Sequence, residues 1–294
     1  MTAKLKFVSA MLIFGSIGIF VKNINIPSAE IVQWRTIIGS IFLLLVFVIK
    51  KKPIDYTGVK RNWIPLIIAG IVLGGGWAFL FEAFQHTSVG VATMLYYCAP
   101  IIVFSLAPVI FKEKVTTQQV IGIAAAVIGM LIVNLVGTRV GEFSSGALYA
   151  LIAALLYAAL MIVNKYIHEV SGLESTFVQL IVAALIMTIY CFATTGKLLY
   201  LPAGKDILLI SILGILHTGI AFSMYITAMK HLSGQNISLF SYIDPASALI
   251  FAFIFLEESL KWYQILGAIL IFGGTLFSQM KKYNIKDLGG QDDG

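Results

Sequence analysis

The chain has 294 residues, of which 59% are hydrophobic and 12% charged, with a mean hydropathy of +0.95. Soluble domains carry roughly 25% charged residues, so a water-soluble fold of this length could not hide so much apolar surface, whereas a bilayer does not require it to be hidden. The net charge of +6 sits in short breaks between apolar runs, which argues against a nucleic-acid partner and matches the topogenic pattern of an integral membrane protein.

Apolar runs of roughly 17–25 residues signal spanning helices. The first runs over 5–21. Met1 to Lys6 followed by apolar residues resembles a signal peptide, but no small-residue cleavage site follows, so it reads as an uncleaved first helix. The second, 28–49, carries Arg35, and the third, 62–84, carries Trp77 and Glu82. The fourth, 88–111, holds Tyr96, Tyr97 and Pro100; the fifth, 116–135, holds Gly122 and Gly129. The sixth, 146–166, includes Tyr157 and Asn164, and the seventh, 174–195, includes Gln179. The eighth, 206–229, contains His217 and Tyr225, and the ninth, 234–256, contains Tyr242, Asp244 and Pro245. The tenth spans 261–280 with Gly267 and Gly274, and a short polar tail follows. Turn residues punctuate the breaks, as at Asn23 to Pro27, Lys50 to Pro53, Gly137 to Gly141 and Pro202 to Gly204.

Lysine and arginine set the orientation. With the N-terminus inside, the outer loops hold only Lys22, Arg139, Lys197, Lys205 and Lys261, while Lys4, Lys6, Lys50 to Lys52, Lys60, Arg61 and most other basic residues lie inside. This predicts a multi-pass protein of the cell (inner) membrane with both termini cytoplasmic, and it requires an even number of helices.

Sliding the chain by 145 residues superimposes its halves without gaps. His86 falls on His231, Tyr97 on Tyr242, Pro100 on Pro245, Glu113 on Glu258, Gln119 on Gln264, Gly122 on Gly267 and Gly129 on Gly274. Five helices per half is an odd number, so the second half enters the membrane from the opposite side. The fold expected is all-α, ten transmembrane helices in two inverted five-helix repeats over 1–138 and 139–283, with a cytoplasmic tail over 284–294. Secondary transporters often have this architecture, with the solute site near the midplane between halves. A duplication preserved in a channel, receptor or membrane enzyme is the competing reading.

These features resemble the drug/metabolite transporter superfamily, in its ten-helix EamA-like branch. The resemblance covers nearly the whole chain. It is carried by the Arg35 segment, the Gly-rich third helix, Ala99-Pro100 through Phe111-Lys112-Glu113, Gln119 through Gly122 and Gly129, and their repeats at Asp244-Pro245, Leu256-Glu257-Glu258 and Gln264-Gly267-Gly274. It implies export or exchange of amino acids, nucleotide sugars, choline-like cations or other metabolites, and it does not choose among them.

An ionisable group within hydrocarbon is costly and usually faces a cavity or a partner. Asp244 is the sharpest case, because its repeat mate is Ala99 and packing therefore demands no carboxylate there. It is expected to bind a cationic group or carry a proton; a carboxylate merely tying helices together is the alternative. Pro100 and Pro245 remove backbone donors at one depth, freeing carbonyls to line a cavity or simply kinking their helices. His217 suits proton coupling, or else a neutral hydrogen bond to a hydroxyl. Arg35 and Glu82 are expected to pair and fix one conformation, with capture of a substrate carboxylate by Arg35 as the rival. Tyr97, Tyr242, Trp77 and Tyr225 are candidate pocket walls, where aromatic faces beside Asp244 suit a cationic or aromatic solute. Asn164 and Gln179 supply polar lining. Glu113 and Glu258 end their helices at loops, where capping explains them better than substrate does.

Cys98 and Cys191 sit in separate apolar runs with no Cys/His cluster, and no P-loop occurs, so neither a metal, another cofactor nor ATP is expected. The function expected is secondary transport of a small organic metabolite or drug-like solute, as an exporter or exchanger rather than an enzyme. Membrane lipid is the other partner, with proton coupling and a homodimer left open. A lipid-linked-sugar flippase and a non-transporting membrane sensor or scaffold are the alternatives.

Overall fold

The computed structural model describes residues 2–51, 54–87, 89–135, 145–256 and 261–280, and among them every regular element is helical. Among the described residues, eight helices are long and apolar enough to cross a membrane: α1 (Ala3–Val21), α2 (Ser28–Ile49), α3 (Trp63–His86), α4 (Val91–Ile110), α6 (Ser145–Tyr166), α7 (Gly172–Thr195), α8 (Lys205–Met229) and α9 (Gly234–Leu256). Two further helices are apolar over shorter stretches, α5 (Thr117–Leu135), over Thr117–Ile132, and α10 (Trp262–Ser278). Leucine, isoleucine and phenylalanine remain exposed along outward faces, as at Ile41, Leu44, Leu185, Ile189, Phe253 and Leu276. That surface suits hydrocarbon rather than water, and the protein is a multi-pass membrane protein.

Local chemistry sets the helix ends. Ser171 accepts from the Glu174 amide at 3.3 Å while the Glu174 carboxylate accepts from the Ser171 amide at 2.9 Å, a reciprocal cap that starts α7. Gly196 ends the same helix at φ 71°, a left-handed position that a β-carbon disfavours. Asp55 caps a short surface helix, Tyr56–Arg61, between α2 and α3. Glu113 caps another helix rather than its own. Its carboxylate accepts from the Gly234 amide at 2.9 and 2.7 Å and from Lys165 at 2.6 Å, tying the ends of α4 and α6 to the start of α9. Glu258 and Arg139 lie outside the described residues.

Three helices are interrupted where polar chemistry concentrates. α1 breaks at Ser16, α4 at Tyr97 and α9 at Tyr242. Pro100 and Pro245 each fall in the first turn of the segment after the break, Cys98–Ile110 and Ile243–Leu256. A missing amide costs little in a first turn, so these prolines start new segments rather than bend continuous helices. In α8, residues Leu213–Ala221 form a π-helical stretch. Such insertions realign the side chains beyond them and recur at functional sites.

α5 and α10 run antiparallel in close contact. A β-carbon added at Gly122 would lie 2.6 Å from the Gly274 carbonyl oxygen, and one at Gly129 would lie 2.5 Å from that of Gly267. These glycines permit backbone contact that any side chain would block. α2 and α7 are also antiparallel: Gln33 donates to the Thr188 hydroxyl at 3.2 Å, and Phe47 meets Phe177 near the opposite ends. α2 packs on α8 and α7 on α3, while α6 lies along α3 and α1 packs on α8 and α9. The central core gathers Phe7, Met11, Leu43, Leu66, Leu160, Met161, Leu180 and Tyr225.

Candidate functional site

A cavity of about 170 Å³ opens among α1, α2, α3, α4, α6, α8 and α9, and both Arg35 and Asp244 line it. Its walls include Phe14, Trp77, Tyr96, Tyr157, Phe222 and Tyr225. Tyr96 stacks on Tyr157 with ring centroids 4.9 Å apart and planes 6° apart, and the Tyr225 hydroxyl donates to that of Tyr157 at 3.4 Å.

Asp244 reaches the cavity because the break at Tyr242 lets the chain begin a new helical turn there. Its Oδ2 accepts from the Tyr97 hydroxyl at 2.8 Å, and among the described residues its other oxygen has no hydrogen-bond partner. The Tyr242 hydroxyl donates to the Tyr97 carbonyl at 3.0 Å. The two repeat-matched tyrosines thus interlock at the two breaks: Tyr97 holds the carboxylate with its hydroxyl and presents its carbonyl to the Tyr242 hydroxyl.

Arg35 enters from α2. Its Nε donates to the Thr218 hydroxyl at 2.9 Å, and its guanidinium carbon lies 5.1 Å from the centroid of the Trp77 ring. Thr218 itself donates to the Leu213 carbonyl at 3.0 Å, five residues back along the π-helical stretch. The Thr218 hydroxyl and the Trp77 ring therefore fix the guanidinium from two sides, and its terminal nitrogens have no hydrogen-bond partner among the described residues. Arg35 and Asp244 form no ion pair with each other within 4.0 Å. One cavity thus holds a cation and an anion, each oriented by neutral groups, and each with bonding capacity left over.

Other expected residues lie elsewhere. Arg35 and Glu82 do not pair: Glu82 accepts from the Tyr190 hydroxyl at 2.6 Å and approaches His86 at 3.6 Å, because the π-helical stretch supplies Arg35 with Thr218 instead. His217 is fully buried behind the wall, bonded to the Ser16 hydroxyl at 3.0 Å and edge-on to Phe20. Asn164 is not in the lining: it exchanges hydrogen bonds with Gln179, which also reaches Ser175 at 2.9 Å. Pro100, Pro245, Tyr97 and Tyr242 stand one layer behind the cavity surface, where they shape the breaks. Tyr96, Tyr157, Phe14 and Phe222 were not singled out as site residues. Nothing separates them in the sequence from other aromatics of apolar helices. Thr218 carries no sequence signal either, since its role depends on the π-helical stretch.

The profile described as the EamA-like transporter family matches residues 1–135 and 144–280. The chain belongs to the EamA-like transporter family. Its members here are transporters, not enzymes. An uncharacterized transporter YxxF of Bacillus subtilis is 32% identical over 290 residues, 97% of this chain and 92% of that protein. An uncharacterized transporter of Archaeoglobus fulgidus is 23% identical over 92% of this chain and 94% of its own length. The threonine/homoserine exporter RhtA of Escherichia coli K12 is 24% identical over 86% of this chain and 83% of its own length. A solved crystal structure superimposes with a TM-score of 0.81 at 17% identity, covering 94% of this chain and 97% of that one, which shows a shared fold.

Proposed function

We propose that this EamA-family protein is a secondary transporter, exporting or exchanging a small zwitterionic metabolite by alternating access between two inverted five-helix halves, 1–138 and 139–283. One observation carries the substrate class: Arg35 and Asp244 line the same aromatic cavity without pairing with each other. In a low-dielectric interior each charge is costly while unpaired. A solute with a carboxylate at one end and an ammonium at the other relieves both at once. Arg35 offers donors in the planar fork that matches a carboxylate, Asp244 accepts from the ammonium, and the tyrosine faces favour its positive end. The amino-acid exporter RhtA among the relatives agrees with this chemistry.

The antiparallel pairs α2/α7 and α5/α10 support the inverted halves. Gly122 meets Gly274 and Gly129 meets Gly267, so each glycine contacts the repeat mate of the other. A two-fold relation in the membrane plane produces this exchange, and the family profile matches the chain twice, once in each half. On this reading the chain crosses the inner membrane ten times with both termini cytoplasmic, the orientation that the lysine and arginine bias of the loops favours. Asp244 is also the group through which a proton could be coupled to the solute.

Sealed vesicles containing the purified protein test the reading by counterflow. Saturable uptake of a neutral amino acid is expected, with none for its N-acetyl or amide derivatives, each of which removes one charge. Binding without flux would make the protein a sensor. Equal uptake of the single-charge derivatives would remove the Arg35–Asp244 assignment.

A further inference from the structure

A second cavity, separate from the solute site, lies on the flank of the molecule. α1 and α2 both pack on α8 and leave a furrow between them of about 270 Å³. Its floor is one face of α8, with Gly219, Ile220, Ser223, Met224 and Thr227 spaced at helical intervals. Gly219 makes room for the Phe42 ring, which a β-carbon there would meet at 2.5 Å. The α2 wall is apolar, with Phe42, Leu43 and Val46. At one end the character changes, where Lys6 of α1 and Lys50 at the end of α2 line the same furrow from opposite sides. Neither lysine makes a hydrogen bond or ion pair among the described residues. The Ser223 and Thr227 hydroxyls donate to carbonyls of their own helix at 2.6 Å, so they demand no external acceptor. Around the furrow, Leu5, Leu12, Ile41, Leu44 and Leu45 are exposed apolar side chains, which places it against lipid.

We propose that this furrow is a binding site for one anionic phospholipid, its phosphate between Lys6 and Lys50 and an acyl chain lying along α8 toward Phe42 and Gly219. The depth fits: Lys50 and Phe42 are about 12 Å apart along α2 at ~1.5 Å rise per residue. Basic groups at the membrane surface attract anionic headgroups, and the apolar continuation below them is what a free phosphate would leave empty. Charge and shape thus select a lipid with a negative headgroup over both a zwitterionic lipid and a soluble anion.

The full-length protein, in mixed micelles with equal phosphatidylglycerol and phosphatidylcholine of the same acyl chains, is read by native mass spectrometry for retained lipid. Retention of phosphatidylglycerol is expected to exceed that of phosphatidylcholine by roughly tenfold, as two lysines at the surface imply. The double variant Lys6→Gln/Lys50→Gln should bring the ratio near one. Lys60→Gln, an exposed lysine of the surface helix Tyr56–Arg61, should leave it unchanged. Met224→Trp, which fills the furrow with both lysines intact, should lower phosphatidylglycerol retention and thereby serves if the double variant does not fold. Glycerol phosphate at millimolar concentration should not displace the lipid. Equal retention of both lipids by the unaltered protein, preference surviving in the double variant, or displacement by glycerol phosphate would each overturn the site.

Discussion

At the scale of single residues, polar groups inside the bilayer region divide into those that complete one another and those that retain capacity. Asn164 and Gln179 satisfy each other and are fully buried. Asn164→Leu removes both bonds between Asn164 and Gln179, leaving the Gln179 amide only Ser175 and its carbonyl oxygen without Asn164, a loss of about 1–3 kcal/mol for an unsatisfied buried group. It should lower the midpoint of thermal unfolding in detergent while leaving solute affinity within about twofold, because Asn164 does not line the cavity. Asp244→Asn should do the reverse. The amide keeps the shape and the Tyr97 contact but removes the charge, so zwitterion affinity should fall at least about tenfold, or ~1.4 kcal/mol, with little change in unfolding. Isothermal titration and thermal unfolding of both variants measure the contrast, and a thermally crippled Asp244→Asn with intact affinity would make Asp244 a structural group.

At the scale of elements, the informative places are those where regular helix fails. The π-helical stretch brings Thr218 to Arg35 and supplies its own carbonyl, that of Leu213, for the hydroxyl proton. Thr218→Val keeps the volume and removes that anchor. It should raise the KM for the zwitterion several-fold, since a charge-assisted hydrogen bond contributes roughly 1.5–3 kcal/mol, and Thr218→Ser should restore it. Failure of the serine to rescue would point to packing around Gly39 instead. The proline breaks make a different prediction. Alanine at Pro100 or at Pro245 restores an amide donor and favours continuous helix through Tyr97 or Tyr242. Because α4 and α9 hold equivalent places in opposite halves, each variant should shift the protein toward a different facing state. Spin-label distances across the two openings would report this, and a shift of both variants toward the same side would leave the prolines as packing features.

At the scale of the whole molecule, α2 packs antiparallel on α7 and α5 antiparallel on α10. Cysteine accessibility in intact cells should find positions beside Arg139 labelled from outside and both termini labelled only after permeabilisation. A C-terminus reachable from outside would defeat the ten-helix inverted arrangement. The Gly122/Gly274 and Gly129/Gly267 contacts hold α5 and α10 together. They bind each other through backbone rather than through long side chains.

Hydropathy by itself determined the membrane class and the helix positions, because it is a property of local composition, and the resemblance carried by Ala99-Pro100, Asp244-Pro245 and the glycines of the fifth and tenth helices led to the family. They also singled out Asp244 and Arg35, since a charge inside an apolar run is conspicuous whatever surrounds it. The partners of those charges were decided only by tertiary structure. Glu82 looked like the mate of Arg35, but the π-helical stretch in α8 aligns Thr218 with it, and π-helical hydrogen bonding has no residue signature. Asn164 and His217 looked like lining and are tied off behind the wall, because the faces they occupy depend on helix rotation against neighbours far away in sequence. Tyr96 and Tyr157 line the cavity for the same reason: their stacking joins α4 to α6, and no pattern within either helix encodes the rotation that brings two rings together.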